Sequence, residues 1–282
     1  MIKIDELSFG YTRQAFIEHM SFSVAKGEIF GFLGPSGAGK STLQKILTGQ
    51  LPGYDGSVRV FGTEVRNRGR DFYERIGIDF EFPTLYEKLT ARQNLKFFGS
   101  LYARPIRDIG GLLDKVELTR DADKKVSDYS KGMKSRLSFL RALINDPEIL
   151  FLDEPTSGLD PANARLMKNI ILDEKAKGKT VILTTHNMQD AQELCDRVAF
   201  IVNGNIAAID TPHNLIMGRG AASVRYTWQE DGKEMCGECG LDETGNDARL
   251  QRLITAGKLL TIHSEEPNLG DIFMEVTGRA LH

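Results

Sequence analysis

The sequence predicts an α/β fold, and three observations carry that prediction. In the second half, EILFLD (148–153), PANARLMKNIILDEKAKG (161–178), TVILTT (180–185), NMQDAQELC (187–195) and RVAFIV (197–202) alternate strand-like apolar runs with helical segments. That order builds a parallel sheet with crossover helices. Near the start, the apolar GEIFGFLG (27–34) enters a glycine-rich turn and then the helical spacing of KSTLQKILTG (40–49). Between these regions, about residues 83–147 carry apolar side chains at helical intervals.

Taken in order, MIKIDELSF reads as a strand and GEIFGFLG as a second, and Gly49 is placed to stop the helix that follows. The turn LPGYDG leads into the alternating strand SVRVFG, and IGIDF (76–80) is a further strand. ARQNLKFFGSLYA, IRDIGGLLDKV and GMKSRLSFLRALI then form a helical insert. After about Pro212 the pattern weakens, and YTWQEDGKEMCGECGLDETGND (226–247) reads as a loop or hairpin. The expected organisation is a mixed-sheet domain over 1–212, interrupted by the insert, and a small α+β appendage over 213–282. No internal repeat is visible, so one copy of this domain is expected.

Composition narrows the function classes. With 282 residues and 41% hydrophobic content the chain can bury a real core, and 36 Lys+Arg against 39 Asp+Glu leave a net charge of -3. That balance lacks the basic excess of a chain held to nucleic acid by phosphate contacts, so no nucleic-acid partner is expected. The start MIKIDELSFGY has acidic residues where a secretory signal places its apolar core, and no apolar run reaches the ~20 residues that span a bilayer. A cytoplasmic protein is expected, without direct membrane insertion and able to touch a membrane only through another protein. Cys195, Cys236 and Cys239 are odd in number and fit a reducing compartment. Cys236 and Cys239 form CxxC, but no second pair or nearby His completes a zinc set, so free thiols are the preferred reading.

The chemistry begins at Gly34–Ser41. GPSGAGKS matches GxxxxGK[ST] between an apolar strand and a helix, the context the mechanism requires. Gly34, Pro35, Ser36, Gly37, Ala38 and Gly39 let successive N–H groups curl toward phosphate oxygens, and the helix start at Lys40, Ser41 and Thr42 adds its positive dipole end. Lys40 is placed to reach the β and γ phosphates of a nucleotide, and the Ser41 hydroxyl to ligate Mg²⁺; such a loop also serves kinases, GTPases and motor ATPases. Gly178, Lys179 and Thr180 spell a second GKT, but Asp173 stands where the first glycine belongs and the strand follows instead of preceding. At the end of the buried run ILFLDEP, Asp153 is suited to hold Mg²⁺ and Glu154 to deprotonate the attacking water. An isolated DE pair is as readily a solvated turn; beside a phosphate loop it is a catalytic pair.

With these residues in place, the first ~210 positions resemble the ATP-binding cassette (ABC) ATPase family of phosphate-loop NTPases. The most specific element is SDYSKGMKSRL, where Tyr129, Ser130, Lys131, Gly132 and Met133 fill the five places of the family's LSGGQ signature. Ser130 and Gly132 match; Tyr129, Lys131 and Met133 depart. The resemblance implies that this signature binds the γ-phosphate of ATP held by a partner chain, with a serine hydroxyl, a glycine N–H and a helix start. Ser157, Gly158, Leu159 and Asp160 look like the family's D-loop, His186 like its switch histidine, and Tyr11 like the aromatic that stacks on adenine. Glu81 falls where the family usually has the glutamine that senses Mg²⁺, so it adds negative charge beside three phosphates.

The resemblance implies an ATPase in which two chains, two copies of this one or this one and a paralogue, sandwich ATP between the Walker A loop of one and the signature of the other. It implies a separately encoded transmembrane permease, and YSKGMKSRL with the closing LGDIFMEVTGRAL resembles the ATPase subunits of bacterial ABC-2-type exporters. Two alternatives are a soluble ABC ATPase not tied to transport, which normally carries two cassettes or a long coiled coil, and a phosphate-loop small-molecule kinase, which has no need for SKGM or the D-loop.

Overall fold

A computed structural model describes residues 1–12, 14–219, 223–230, 232–265 and 267–278. The chain divides into two compact units, Met1–Asp210 and Thr211–Ala280. The first begins with β1 (Ile2–Phe9), β2 (Ile17–Val24), β3 (Ile29–Leu33), α1 (Lys40–Leu47), β4 (Asp55–Val60), β5 (Thr63–Glu64), α2 (Arg70–Glu74) and β6 (Ile76–Asp79). The helical insert supplies α3 (Ala91–Gly99), α4 (Ile109–Lys115) and α5 (Lys131–Leu143). The unit closes with β7 (Ile149–Asp153), α6 (Pro161–Ala176), β8 (Thr180–Thr185), α7 (Met188–Leu194), β9 (Arg197–Val202) and β10 (Asn205–Asp210).

Two sheets organise it. One has the order β10-β9-β3-β8-β7-β6, with the five strands from β9 to β6 parallel and β10 an antiparallel edge. The other, β2-β1-β4-β5, is antiparallel. All five residues of β3 and all six of β8 are buried, as befits parallel strands covered on both faces, and this explains why they read as continuous apolar runs. One apolar cluster joins Ile2, Ile4 and Val58 of the antiparallel sheet, Leu43 and Leu47 of α1, and Phe30, Phe151 and Ile182 of the parallel sheet. The phosphate-loop helix is thus packed between two sheets, which fixes where its N-terminus points.

The antiparallel sheet departs from expectation. β2 has no counterpart in the sequence reading, because IEHMSFSV buries only every second or third residue and looks polar in sequence. Its partner β1 is irregular too: its register with β2 shifts between Ile4 and Leu7, and Glu6 takes φ 51, the mark of a bulge.

Local caps set the helical insert. Thr90 and Gln93 form a capping box on α3, Asp108 caps α4 and Ser130 caps α5. α5 is tied to β6 where Ser138 Oγ donates to the buried Asp79 at 2.7 Å. Ahead of α4, Arg107 pairs with the fully buried Glu174 of α6 and with Asp146, both at 2.6 Å, fastening insert to sheet layer. Removing one partner of such a buried pair leaves an uncompensated charge.

The second unit, taken by itself, is α8 (Pro212–Arg219), β11 (Ser223–Glu230), β12 (Lys233–Gly240), α9 (Ala248–Thr255), β13 (Leu259–Glu265) and α10 (Leu269–Thr277). The polar stretch read as a loop or hairpin is the β11–β12 hairpin and the turn after it, in a three-stranded antiparallel sheet β12-β11-β13. Leu250 and Leu253 of α9 pack on Tyr226 and Trp228. Within LGDIFMEVTGRAL, α10 ends at Thr277 and Gly278 caps it at φ 64, while Arg279, Ala280 and Leu281 lie outside the described residues. Cys236 and Cys239 are both free and lie three residues apart on β12, so they project from opposite faces and do not make one ligand set. No helix among the described residues is long and apolar enough to cross a membrane.

Candidate nucleotide site

The loop is shaped by what its glycines permit. At Gly34, where β3 ends, a Cβ would stand 2.2 Å from the Ile201 carbonyl oxygen, so only glycine lets the chain turn there. Gly39 caps α1 at φ 113 without a side chain, which leaves the first-turn N–H groups of the helix for an anion. Lys40 Nζ donates to the carbonyls of Gly34 at 2.6 Å and Pro35 at 3.1 Å, holding the ammonium inside the loop. Burial pulls the Lys40 ammonium below its ordinary range, and the carboxylates of Glu154, Asp153 and Glu81 oppose that pull.

Those carboxylates come from the ends of other strands. Asp153 closes β7, and Ser41 Oγ donates to its Oδ2 at 3.4 Å, while Thr184 Oγ1 also donates to it. Glu154, one residue on, takes φ 50, a left-handed conformation rare for a side-chain-bearing residue. Its carboxylate accepts from Thr185 Oγ1 and the His186 N–H, both at 3.0 Å, and His186 Nδ1 stands 2.8 Å away. The glutamate side chain is 10% exposed and the histidine 61%, so the pair runs from a held base to an open ring.

Tyr11, Ser36, Gly37, Ala38, Gly39, Lys40, Ser41, Thr42, Glu81, Asp153, Glu154 and His186 line one cavity of about 500 Å³. Tyr11 is 62% exposed, packs edge-on to Phe9, and its hydroxyl lies 3.0 Å from Thr42 Oγ1. The other expected residues are elsewhere. Ser130 Oγ accepts from the Met133 N–H at 3.2 Å as the cap of α5, and Ser130 and Lys131 are exposed. Asp160 caps α6 by accepting from the N–H groups of Ala162 and Asn163 at 3.1 Å, which holds its carboxyl below the usual range, as does the Asn163 side chain, the strongest of these contacts. The Ser157 N–H donates to the Glu154 carbonyl at 3.0 Å, so this loop grows directly out of the acidic pair. Signature and D-loop meet each other: a Cβ on Gly158 would stand 2.9 Å from Lys131 Nζ, and one on Gly132 3.6 Å from Leu159.

Three residues of the site were not expected from sequence. Phe16 lines the cavity beside Gly39. Thr184 and Thr185 hold the two carboxylates; the signal for them was a polar TT pair at the end of an otherwise apolar strand, directly before His186. Two strands over, on β6, burial pushes Asp79 up to about 7, partly offset by the Ser138 hydrogen bond.

A phosphate loop leaving a parallel strand, with two carboxylates on a strand one removed from it and an inserted helical subdomain, defines a phosphate-loop NTPase of cassette type. The family model described as ABC transporter matches residues 17–157. The chain is 50% identical to the fluoroquinolones export ATP-binding protein of Mycobacterium tuberculosis, over 100% of this chain and 94% of that protein. It is 36% identical to the Nod factor export ATP-binding protein I of Sinorhizobium fredii, over 99% and 87%. A solved ATP-binding subunit of an ABC transporter superposes with TM-score 0.70 and 28% identity, covering 77% of this chain and 92% of that one. A dimeric ATP-binding cassette bound to ADP and Pi shares the fold, with TM-score 0.67 and 24% identity over 75% and 98%. The chain belongs to the ABC transporter family, as an ATP-binding, ATP-hydrolysing subunit.

Proposed function

We propose that this chain powers export, by closing on ATP with a second copy of itself and reopening after hydrolysis. The observation that supports it is the convergence of Lys40, the Ser41–Asp153 pair and the Glu154–His186 pair on one cavity. Lys40 binds the β and γ phosphates. Glu154, fixed by Thr185 and the His186 N–H, takes the proton of the attacking water, a role worth ~10²–10⁴-fold in rate. Its contact with Nδ1 orients the His186 ring and leaves the other ring nitrogen for the γ-phosphate. The Ser41 hydroxyl and Asp153 carboxylate are hard oxygen donors side by side, a set that fits Mg²⁺; these two, with Glu81 in the same cavity, would hold the ion. Mg²⁺, when bound, neutralises charge developing on the phosphates. Ser130, Lys131, Gly132 and Met133, outside the cavity, complete the partner chain's site, and Ser157 and Asp160 meet that chain.

The transmembrane subunit is of ABC-2 type and sits on the groove that ends at Phe80, next to Glu81 in sequence, where apolar Ile76, Ile78, Phe98 and Leu101 lie among Arg70, Glu74 and Arg141. The chain works at the cytoplasmic face of the membrane through that subunit. Export follows from whole-length likeness to two export ATP-binding proteins. The test is Glu154→Gln: ATP binding is retained, hydrolysis falls ~100-fold or more, and ATP-bound dimers accumulate in light scattering. Hydrolysis at the parent rate overturns the base assignment.

A further inference from the structure

We propose that the first unit carries a second anion site, a basic cleft that recognises phosphate groups at the opposite end of the parallel sheet from ATP. The cleft, about 490 Å³, is lined by Lys3, Lys26, Arg59 and Arg75 with Phe61 and a single carboxylate, Glu148. Arg75 directly precedes β6 and Glu148 directly precedes β7, whereas Asp153 and the phosphate loop lie at the far ends of β7 and β3. Five residues of strand separate the two sites by roughly 16 Å.

The floor of the cleft is rigid. Arg75 reaches Glu148 with two hydrogen bonds, at 2.6 and 3.1 Å, and the Arg75 carbonyl accepts the Glu148 N–H at 2.8 Å. The guanidinium lies 3.7 Å from the centre of the Phe61 ring, and Phe61 takes φ 57 to present that ring. The Arg75 partner therefore uses up the one acid.

The remaining cations are held together at a cost. Lys3 and Arg59 are direct register partners on β1 and β4, where like charges destabilise a sheet. Glu64 stands opposite Arg59 on β5, but its oxygens serve Tyr54 and Ser57 at 2.7 Å, the Val58 N–H at 3.1 Å and Arg66 at 3.4 Å. Among the described residues Lys3 pairs only with Asp5, at 3.8 Å. Exposed cations repel one another in one concave place while the chain as a whole is acidic, and a multiply charged anion relieves that repulsion. Phosphate offers the charge and the bidentate geometry that Arg59 recognises. A membrane lipid headgroup and a free phosphate compound both carry it.

The test uses the full chain with saturating ADP, so that the phosphate loop is filled. Inorganic pyrophosphate is titrated calorimetrically, and co-sedimentation is measured with vesicles of phosphatidylcholine alone or mixed with phosphatidylglycerol. Arg59→Gln and Lys26→Gln each reduce binding at least fivefold, added salt weakens it, ATPase turnover stays within twofold, and the Arg59→Gln thermal midpoint holds or rises. Variant-sensitive binding of mixed vesicles without pyrophosphate binding identifies a headgroup site; pyrophosphate binding identifies a soluble phosphate. If neither probe binds, or both variants bind as the parent does, the cleft is not a phosphate site. Because the variants leave the ATP cavity intact, that result is separable from failure of the ATPase reading.

Discussion

The ATP cavity and the signature segment are built from the same materials and face different ways. In the cavity a helix start, a lysine and two carboxylates are drawn together from β3, β7 and β8, each held by a threonine, a carbonyl or a backbone N–H. At the signature another helix start is presented by Ser130, exposed and capped only from within its own helix. A helix N-terminus binds anions wherever phosphate can approach it, and here the second one lies outside the cavity that holds Lys40, Asp153 and Glu154, with Ser130 and Lys131 exposed. The contrast is the one the proposed split site calls for: the first helix start is enclosed by groups of its own chain, and the second is left open.

The most severe way to break the cavity is Lys40→Ala. Losing charge-assisted contacts to two phosphates costs about 3 to 5 kcal/mol, a fall in ATP affinity of ~100-fold or more. Equal affinity in calorimetry would sink the phosphate-loop assignment. Ser130→Arg strikes the outward half instead: affinity at low protein concentration stays within about twofold, while ATP-driven dimerisation and turnover fall about tenfold or more, because a bulky cation blocks the approach of the second chain. Mixing the two variants places both lesions in one site of the mixed dimer and spares the other, so partial recovery sharpens the comparison. If Ser130→Arg weakened monomer affinity as much as Lys40→Ala, the signature would be acting within its own chain.

Thr185→Val tests how firmly the inner half is held. One hydrogen bond to a charged group contributes about 1.5 to 3 kcal/mol, so turnover falls roughly tenfold with little change in ATP affinity. An equal loss of affinity would show that Thr185 supports the fold of the loop and not the aim of Glu154.

These two halves were legible to different degrees. β3, β7, β8 and β9 were plain because strands buried on both faces carry near-continuous apolar runs, and the phosphate loop was plain because its glycine spacing falls between a strand and a helix. β2 was invisible because a strand covered on one face, broken at His19 with φ 49, mixes Glu, His and Ser among its buried residues. The threonines behind Asp153 and Glu154 left only the polar TT pair ending β8, and that pair gains its meaning once β7 is placed beside it. Phe16 enters the cavity from the turn before β2 and became readable only with that strand. The appendage was the least legible, as its sheet buries little more than Val224, Tyr226 and Trp228 on one face.

The smallest effect is expected at Glu81, where a carboxylate shares the cavity with Lys40, Asp153 and Glu154. Two opposite influences act on ATP there. The charge repels the phosphates directly, and it also stabilises the Lys40 ammonium against burial, though Glu154 and Asp153 contribute more to that stabilisation. Glu81→Gln therefore leaves the two larger supports of the lysine charge in place and removes mostly repulsion. For one charge in a partly solvated cavity this amounts to ~1 kcal/mol, a gain in ATP affinity of about fivefold at low ionic strength. The gain shrinks as salt is added, because screening acts on exposed charge. The amide holds a metal-bound water less strongly than the carboxylate, so half-maximal turnover requires more Mg²⁺ in the variant. Titrating ATP and Mg²⁺ separately reads the two effects apart. Weaker ATP binding by Glu81→Gln at low salt would mean that Glu81 supports the nucleotide through the metal more than it opposes it by charge.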